Sequence, residues 1–191
     1  MTVSSQGTYK NLVEMLDNSR KRYADRPLFG TKRDENYEWT TYEQFAEKVD
    51  DFRGGLASLG VSFGDKVAII SKNTEEWAVS AYATYGLCGH HIPMYETQLA
   101  KEWEYIVRDC SAKMLLVSNP TVLEQTLDFP ESVDSLEHVV LISGSSSQEV
   151  KTYGDLLKTG RENPVEAQQP ESGSPMGMIY TSLFVGSVRC V

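Results

Sequence analysis

The stretch from Gly64 to Asn119 constrains the fold more than any other part of the chain. It carries the apolar runs Val67–Ile70 and Met114–Val117, with a second short run around Ile92–Tyr95 between them. Segments with apolar residues at helical spacing separate the runs. A strand buried on both faces reads as a continuous apolar run, because no alternate position has to meet water. Strand and helix signals in alternation therefore predict an α/β fold, a mostly parallel sheet flanked by helices.

The flanking sequence extends the pattern. Thr8 can cap a first helix with Leu12, Leu16, Ser19 and Tyr23 on one face. Pro27 ends it, since proline restricts the residue before it and has no N–H to donate. Leu28–Thr31 and Tyr37–Trp39 read as short strands joined by the charged loop Lys32–Asn36. Thr40 and Glu43 have capping-box spacing ahead of a stripe of Phe45, Val49, Phe52, Leu56 and Leu59. Gly54 and Gly55 weaken that helix by up to about 1 kcal/mol each relative to alanine, unless another backbone approaches closely there. Gly60 stops the helix, and Gly64-Asp65 turns the chain into Val67.

Further along, Asn73 with Glu76 predicts a capped helix that turns Trp77, Ala81, Thr84 and Cys88 toward the core. Pro93 makes the next strand short or irregular. Thr97 caps a helix carrying Leu99, Trp103, Ile106 and Cys110 on one side. Pro120 and Thr121 open a helical turn around Val122–Leu127, Val139–Ile142 is a strand, and Gly144–Ser147 is a surface connection. Thr152 and Asp155 cap a short helix that Gly160 stops. Arg161–Pro175 reads as an exposed connector, and Met178–Thr181 as one last strand.

At 191 residues the chain suits one domain. A net charge of −9 opposes binding to nucleic-acid phosphates or to an anionic membrane surface. No apolar run approaches the roughly 18 residues a transmembrane helix needs, and the first residues lack a secretory pattern. The three cysteines, Cys88, Cys110 and Cys190, form an odd, sparse set that fits a reducing, cytoplasmic setting, with Cys88 and Cys110 as buried thiols.

Sharper readings of single residues give way to plainer ones. His90 and His91 point to opposite faces of a strand and do not share a metal; one of them is a histidine satisfied at the edge of the core. Trp77 and Trp103 are core residues, and Tyr95 packs at a strand end. Asp50 and Asp51 make a solvated helix face, while Asp25, Asp34 and Asp65 serve turns. No pair of carboxylates has a context for acid–base work, and no Gly-x-Gly-x-x-Gly joins a strand to a helix.

The chain resembles the N-terminal part of the adenylate-forming enzymes, most closely the long-chain fatty acyl-CoA synthetases. The resemblance rests on YADRPLFGTK at 23–32, YEWTTYEQF at 37–45, GDKVAIISKNTEEW at 64–77, IPMYET at 92–97 and YIVRDCSAKMLLV at 105–117. TYGDLLKTG at 152–160 and MIYTS at 178–182 complete the shared order. It implies an incomplete N-terminal subdomain of that fold over residues 1–182, with 183–191 a divergent tail. It also implies ATP-dependent conversion of a fatty acid, through an acyl-adenylate, to a thioester of coenzyme A, with magnesium accompanying the nucleotide. Thr181 and Ser182 match the first two hydroxyl residues of the family's phosphate loop. Beyond them the family's run of glycines ending in Pro-Lys-Gly is replaced by LFVGSVRCV. A compact anion nest needs glycines and a nearby cation. The resemblance thus implies a chain that holds ATP, Mg2+ and coenzyme A unproductively or not at all, and is inactive alone. Catalytic and metal-binding residues are expected to be absent. The alternative is a non-catalytic module that associates with a full-length synthetase, or self-associates through exposed core. Relatives often work at the endoplasmic reticulum or other membranes.

Overall fold

The computed structural model describes residues 9–180 and 185–189. Helix α1 covers Leu12–Tyr23 and is capped by Asn11, whose side chain accepts from the Glu14 N–H. Thr8, the expected cap, lies outside the described residues. Strands β1 (Pro27–Arg33) and β2 (Asn36–Thr41) pair antiparallel, leaving only Asp34 and Glu35 between them. The connection is tighter than the expected five-residue loop. It uses the left-handed backbone of Asp34, at φ 52°, that so short a turn demands.

Helix α2 spans Tyr42–Ser58. Its capping box sits one residue later than expected: Thr41 Oγ1 accepts from the Gln44 N–H, and Gln44 Oε1 accepts from the Thr41 N–H. Thr40 and Glu43 are engaged elsewhere, Thr40 donating to Glu75 and Glu43 receiving Arg20. Phe45, Val49, Phe52 and Leu56 are buried as expected. Each such side chain contributes about 1.5–3 kcal/mol by leaving water.

Strand β3 (Lys66–Ile70) leads into α3 (Glu75–Tyr85), capped by Thr74 rather than Asn73. Strand β4 (His90–Met94) leads into α4 (Ala100–Asp109) and then β5 (Met114–Val117). Helix α4 starts after Leu99, not at Thr97; Glu102 accepts from the Leu99 N–H, and the Leu99 side chain faces solvent. Short helices α5 (Pro120–Glu124) and α6 (Phe129–Ser132) precede β6 (His138–Leu141) and β7 (Lys151–Thr152). Helix α7 (Tyr153–Glu162), β8 (Pro175–Tyr180) and β9 (Val185–Arg189) follow.

The main sheet has seven strands in the order β7-β6-β5-β3-β4-β8-β9, parallel from β7 to β8, with β9 antiparallel on the edge. Side-chain alternation divides the core in two. Ala68, Ile70, Leu115 and Val117 pack with Trp103, Ile106, Leu123 and Phe129 from α4, α5 and α6. Val67, Ile69, Met114 and Leu116 pack with Phe52, Leu56, Val79 and Leu156 from α2, α3 and α7.

Pro93 is accommodated in a regular five-residue strand rather than breaking it. His90 donates to the Asp65 carbonyl and the Met94 carbonyl accepts from Ser71, so even positions of β4 face β3. Pro93 therefore turns its missing N–H toward β8, which pairs with β4 only at His91 and Gly177.

Gly160 does not stop α7; it lies inside the helix, against α2. A Cβ there would come within 1.6 Å of the Asp51 carbonyl oxygen, and one on Gly55 within 2.3 Å of the Leu156 oxygen. The glycine pair in α2 is thus a close-approach surface, the second of the two roles its sequence allowed. Nor is the segment after α7 a free connector. Arg53 Nε donates to the Val165 carbonyl, the Gln168 N–H to Gly86, and Asn11 Nδ2 to Pro170.

Candidate functional site at the carboxyl ends of the strands

In a doubly wound sheet, ligands gather outside the carboxyl ends of the strands, where neighbouring strands send their connections in opposite directions. Here those neighbours are β3 and β5: the chain leaves β3 toward β4 and leaves β5 toward β6. Ser71, Lys72 and Asn73 follow β3, and Ser118 and Asn119 follow β5. Beside them a cleft of about 140 Å³ opens between the ends of β3, β4 and β8, floored by Met94 and Ile106 and flanked by Asn73, Tyr95 and Tyr180.

Two contacts hold this edge in shape. Trp103, 2% exposed, donates its indole N–H to the Tyr95 carbonyl at 2.9 Å and so props the end of β4 from α4. Tyr180, the last described residue of β8, donates its hydroxyl to Asp109 at the end of α4, at 2.6 Å. Burial and that acceptor both raise the Tyr180 pKa, so the phenol keeps its proton. The sequence gives a weak hint of the first contact, a tryptophan within an apolar stripe with a polar N–H to satisfy. The second joins residues far apart in the chain and leaves no local signal. Tyr95 itself is 72% exposed, which corrects the expectation that it packs at the strand end.

Other singled-out residues fall into structural roles. His91 is buried, with Nε2 3.1 Å from Ser80 Oγ and the Trp77 and Tyr85 rings nearly perpendicular to its own. Burial pulls its pKa down to about 3, so it is neutral at pH 7. Cys110 is buried, and burial pushes its thiol up to about 11. Cys88 is only half-buried: it lies past the end of α3 with φ 53°, in the turn into β4 rather than on a helix face. Asp50 and Asp51 are not merely solvated. Asp50 bridges Arg20 and Arg53, and Asp51 receives Arg161.

Ser71 and Ser143 at this edge spend their hydroxyl protons on the carbonyls of Lys72 and Ser118, so neither is free to donate to a phosphate. Among the described residues no three His, Cys, Asp or Glu side chains group closely enough to hold a metal ion. Thr181 and Ser182 lie outside the described residues.

A family model described as AMP-binding enzyme matches residues 16–182. The chain belongs to that family. Fatty acyl-CoA synthetase A of Dictyostelium discoideum is 27% identical over 175 residues, covering 87% of this chain and 26% of the relative. Long-chain-fatty-acid–CoA ligase ACSBG1 of Homo sapiens is 28% identical over 193 residues, covering 96% of this chain and 26% of the relative. The chain thus spans about a quarter of the length of these curated relatives. Among solved structures, the anthranilate CoA ligase AuaEII in complex with anthranoyl-AMP superposes with a TM-score of 0.79 at 25% identity, over 95% of this chain and 34% of that one. The expected α/β architecture and the family are therefore both shown. No helix among the described residues is long and apolar enough to cross a membrane.

Proposed function

We propose that this chain is the opening portion of an adenylate-forming acid–CoA ligase, with a long-chain fatty acid as the acid and ATP, magnesium and coenzyme A as its co-substrates. The supporting observation is where β8 leaves the sheet. It runs parallel beside β4, exits at the carboxyl edge with Tyr180 anchored on Asp109, and the family match continues through the next two residues. In this proposal Thr181 and Ser182 are phosphate-side hydroxyls, residues 1–182 are part of the AMP-binding domain, and 183–191 diverge from it.

These 191 residues alone do not adenylate an acid. Lowering the barrier requires positioned charges around the developing negative charge. After Ser182 the sequence offers Gly186 and Arg189 but no lysine and no run of glycines. The test is to read the gene and its transcripts past the Ser182 codon. We expect a transcript in which Gly-Thr-Thr-Gly and then Pro-Lys-Gly follow. If every transcript continues only as Leu-Phe-Val-Gly-Ser-Val-Arg-Cys-Val, the proposal is overturned.

A further inference from the structure

A cavity larger than the carboxyl-edge cleft lies elsewhere. It is a groove of about 420 Å³ at the opposite edge of the sheet, under the amino ends of β4 and β8. Strands of five residues separate the two edges by roughly 15 Å. The groove's size falls in the range of small-molecule sites, about 300–1,000 Å³.

Its chemistry is divided between floor and mouth. Leu12, Val13, Tyr85, Gly89 and Met176 give it an apolar interior, and the exposed Phe63 ring stands beside them. Gln168, Gln169 and Glu171 at its mouth are exposed and polar. Among the described residues that line it there is no lysine or arginine, and the one carboxylate is that solvated Glu171. His90 adds no charge, since burial and the nearby Lys66 hold its pKa below the ordinary histidine value. An anion entering here would lose its hydration, find no lysine or arginine among the described lining residues, and meet Glu171. The walls are also held in place. The segment bearing Gln168 to Ser174 is tied down at Gly86 and at Asn11, the cap of α1.

We infer that this groove binds a small uncharged molecule that is mostly apolar and carries a hydrogen-bonding group at one end. The carboxylate of a fatty acid and the phosphates of a nucleotide are both excluded from it. It is thus a site separate from the carboxyl edge and does not depend on the function proposed above.

The test uses the purified chain with Nile red as an uncharged probe, decan-1-ol and decanoate as competitors, and amide NMR shifts to locate the site. We expect one saturable dye site per chain, displaced by decan-1-ol, with decanoate weaker by about tenfold or more. Shifts should centre on Cys88, Gly89 and Ser174 and leave Ser71, Tyr95 and Tyr180 unmoved. Leu12→Trp should weaken the dye by about tenfold. Should that variant unfold, the shift map of the unaltered chain decides. Equal competition by decanoate, shifts at the carboxyl edge, or no saturable binding would each overturn the inference.

Discussion

The two faces of the main sheet are covered in opposite ways. Under α4, α5 and α6, large side chains fill the space: Trp103, Ile106, Leu123 and Phe129 are all buried. On the other face, α2 and α7 meet backbone to backbone through Gly54, Gly55 and Gly160, with Arg161–Asp51 and Arg53–Asp50 beside the contact. The first face is sensitive to atoms removed; the second, which buries Phe52 and Leu56 too, is sensitive to atoms added as well. Packing density alone does not distinguish them, because protein interiors are close-packed throughout.

The largest effect should come from adding a methyl on the backbone face. Gly160→Ala would gain about 1 kcal/mol of helix propensity. Its Cβ, however, would fall 1.6 Å from the Asp51 carbonyl oxygen, which cannot move without α2. We expect a net loss of at least about 3 kcal/mol in urea unfolding, or failure to fold. A stabilised Gly160→Ala chain would show that the helices are not in backbone contact.

On the other face, Trp103→Ala should cost about 3–5 kcal/mol by leaving a cavity. It also removes the donor to Tyr95, so amide exchange near Tyr95 should quicken more than at β6. Equal quickening at both sites would deny Trp103 its role at the carboxyl edge.

Acid should act first on the face that holds His91. Its folded pKa of about 3 lies below the ordinary 6.5, so the unfolded chain binds more protons between those values. Stability is then full above about pH 6.5 and falls with pH, by on the order of 1.4 kcal/mol per unit, until about pH 3. Carboxylates such as Asp155, held below its usual range chiefly by the Thr152 hydroxyl, also lose stability in acid. The difference between the natural chain and His91→Gln isolates the histidine. Identical slopes for the two between pH 6 and pH 4 would mean that His91 is not buried.

The smallest change should be Thr41→Ala, which removes a cap from α2 at about 1 kcal/mol, whereas Thr40→Ala removes only its hydrogen bond to Glu75. The larger loss at position 40 would restore the earlier placement of the helix start.

The sequence made the strands legible because Val67–Ile70 and Met114–Val117 are apolar without interruption, as strands buried on both faces must be. Helix starts were read one to three residues early at Thr40, Asn73, Thr97 and Thr8. At α2 and α3 adjacent polar residues compete for one capping role, and at α2 tertiary contacts choose, with Thr40 going to Glu75 and Thr41 capping, whereas α4 starts after Leu99 without a side-chain cap. Gly160 reads as a stop in the sequence because a glycine that ends a helix and one that admits a second helix look alike in one dimension. The family resemblance singles out Thr181 and Ser182, which lie outside the described residues. The Tyr180–Asp109 and Trp103–Tyr95 ties depend on which helix crosses which strand end, which no local pattern encodes.

The most direct measurement is fatty-acid-dependent exchange of pyrophosphate into ATP by the purified 191-residue chain. We expect no exchange above the rate without fatty acid, because the sequence after Ser182 offers no lysine and no run of glycines from which a phosphate nest could be built. Exchange that rises and saturates with added fatty acid would contradict this, and would mean that these residues build an adenylating centre of their own.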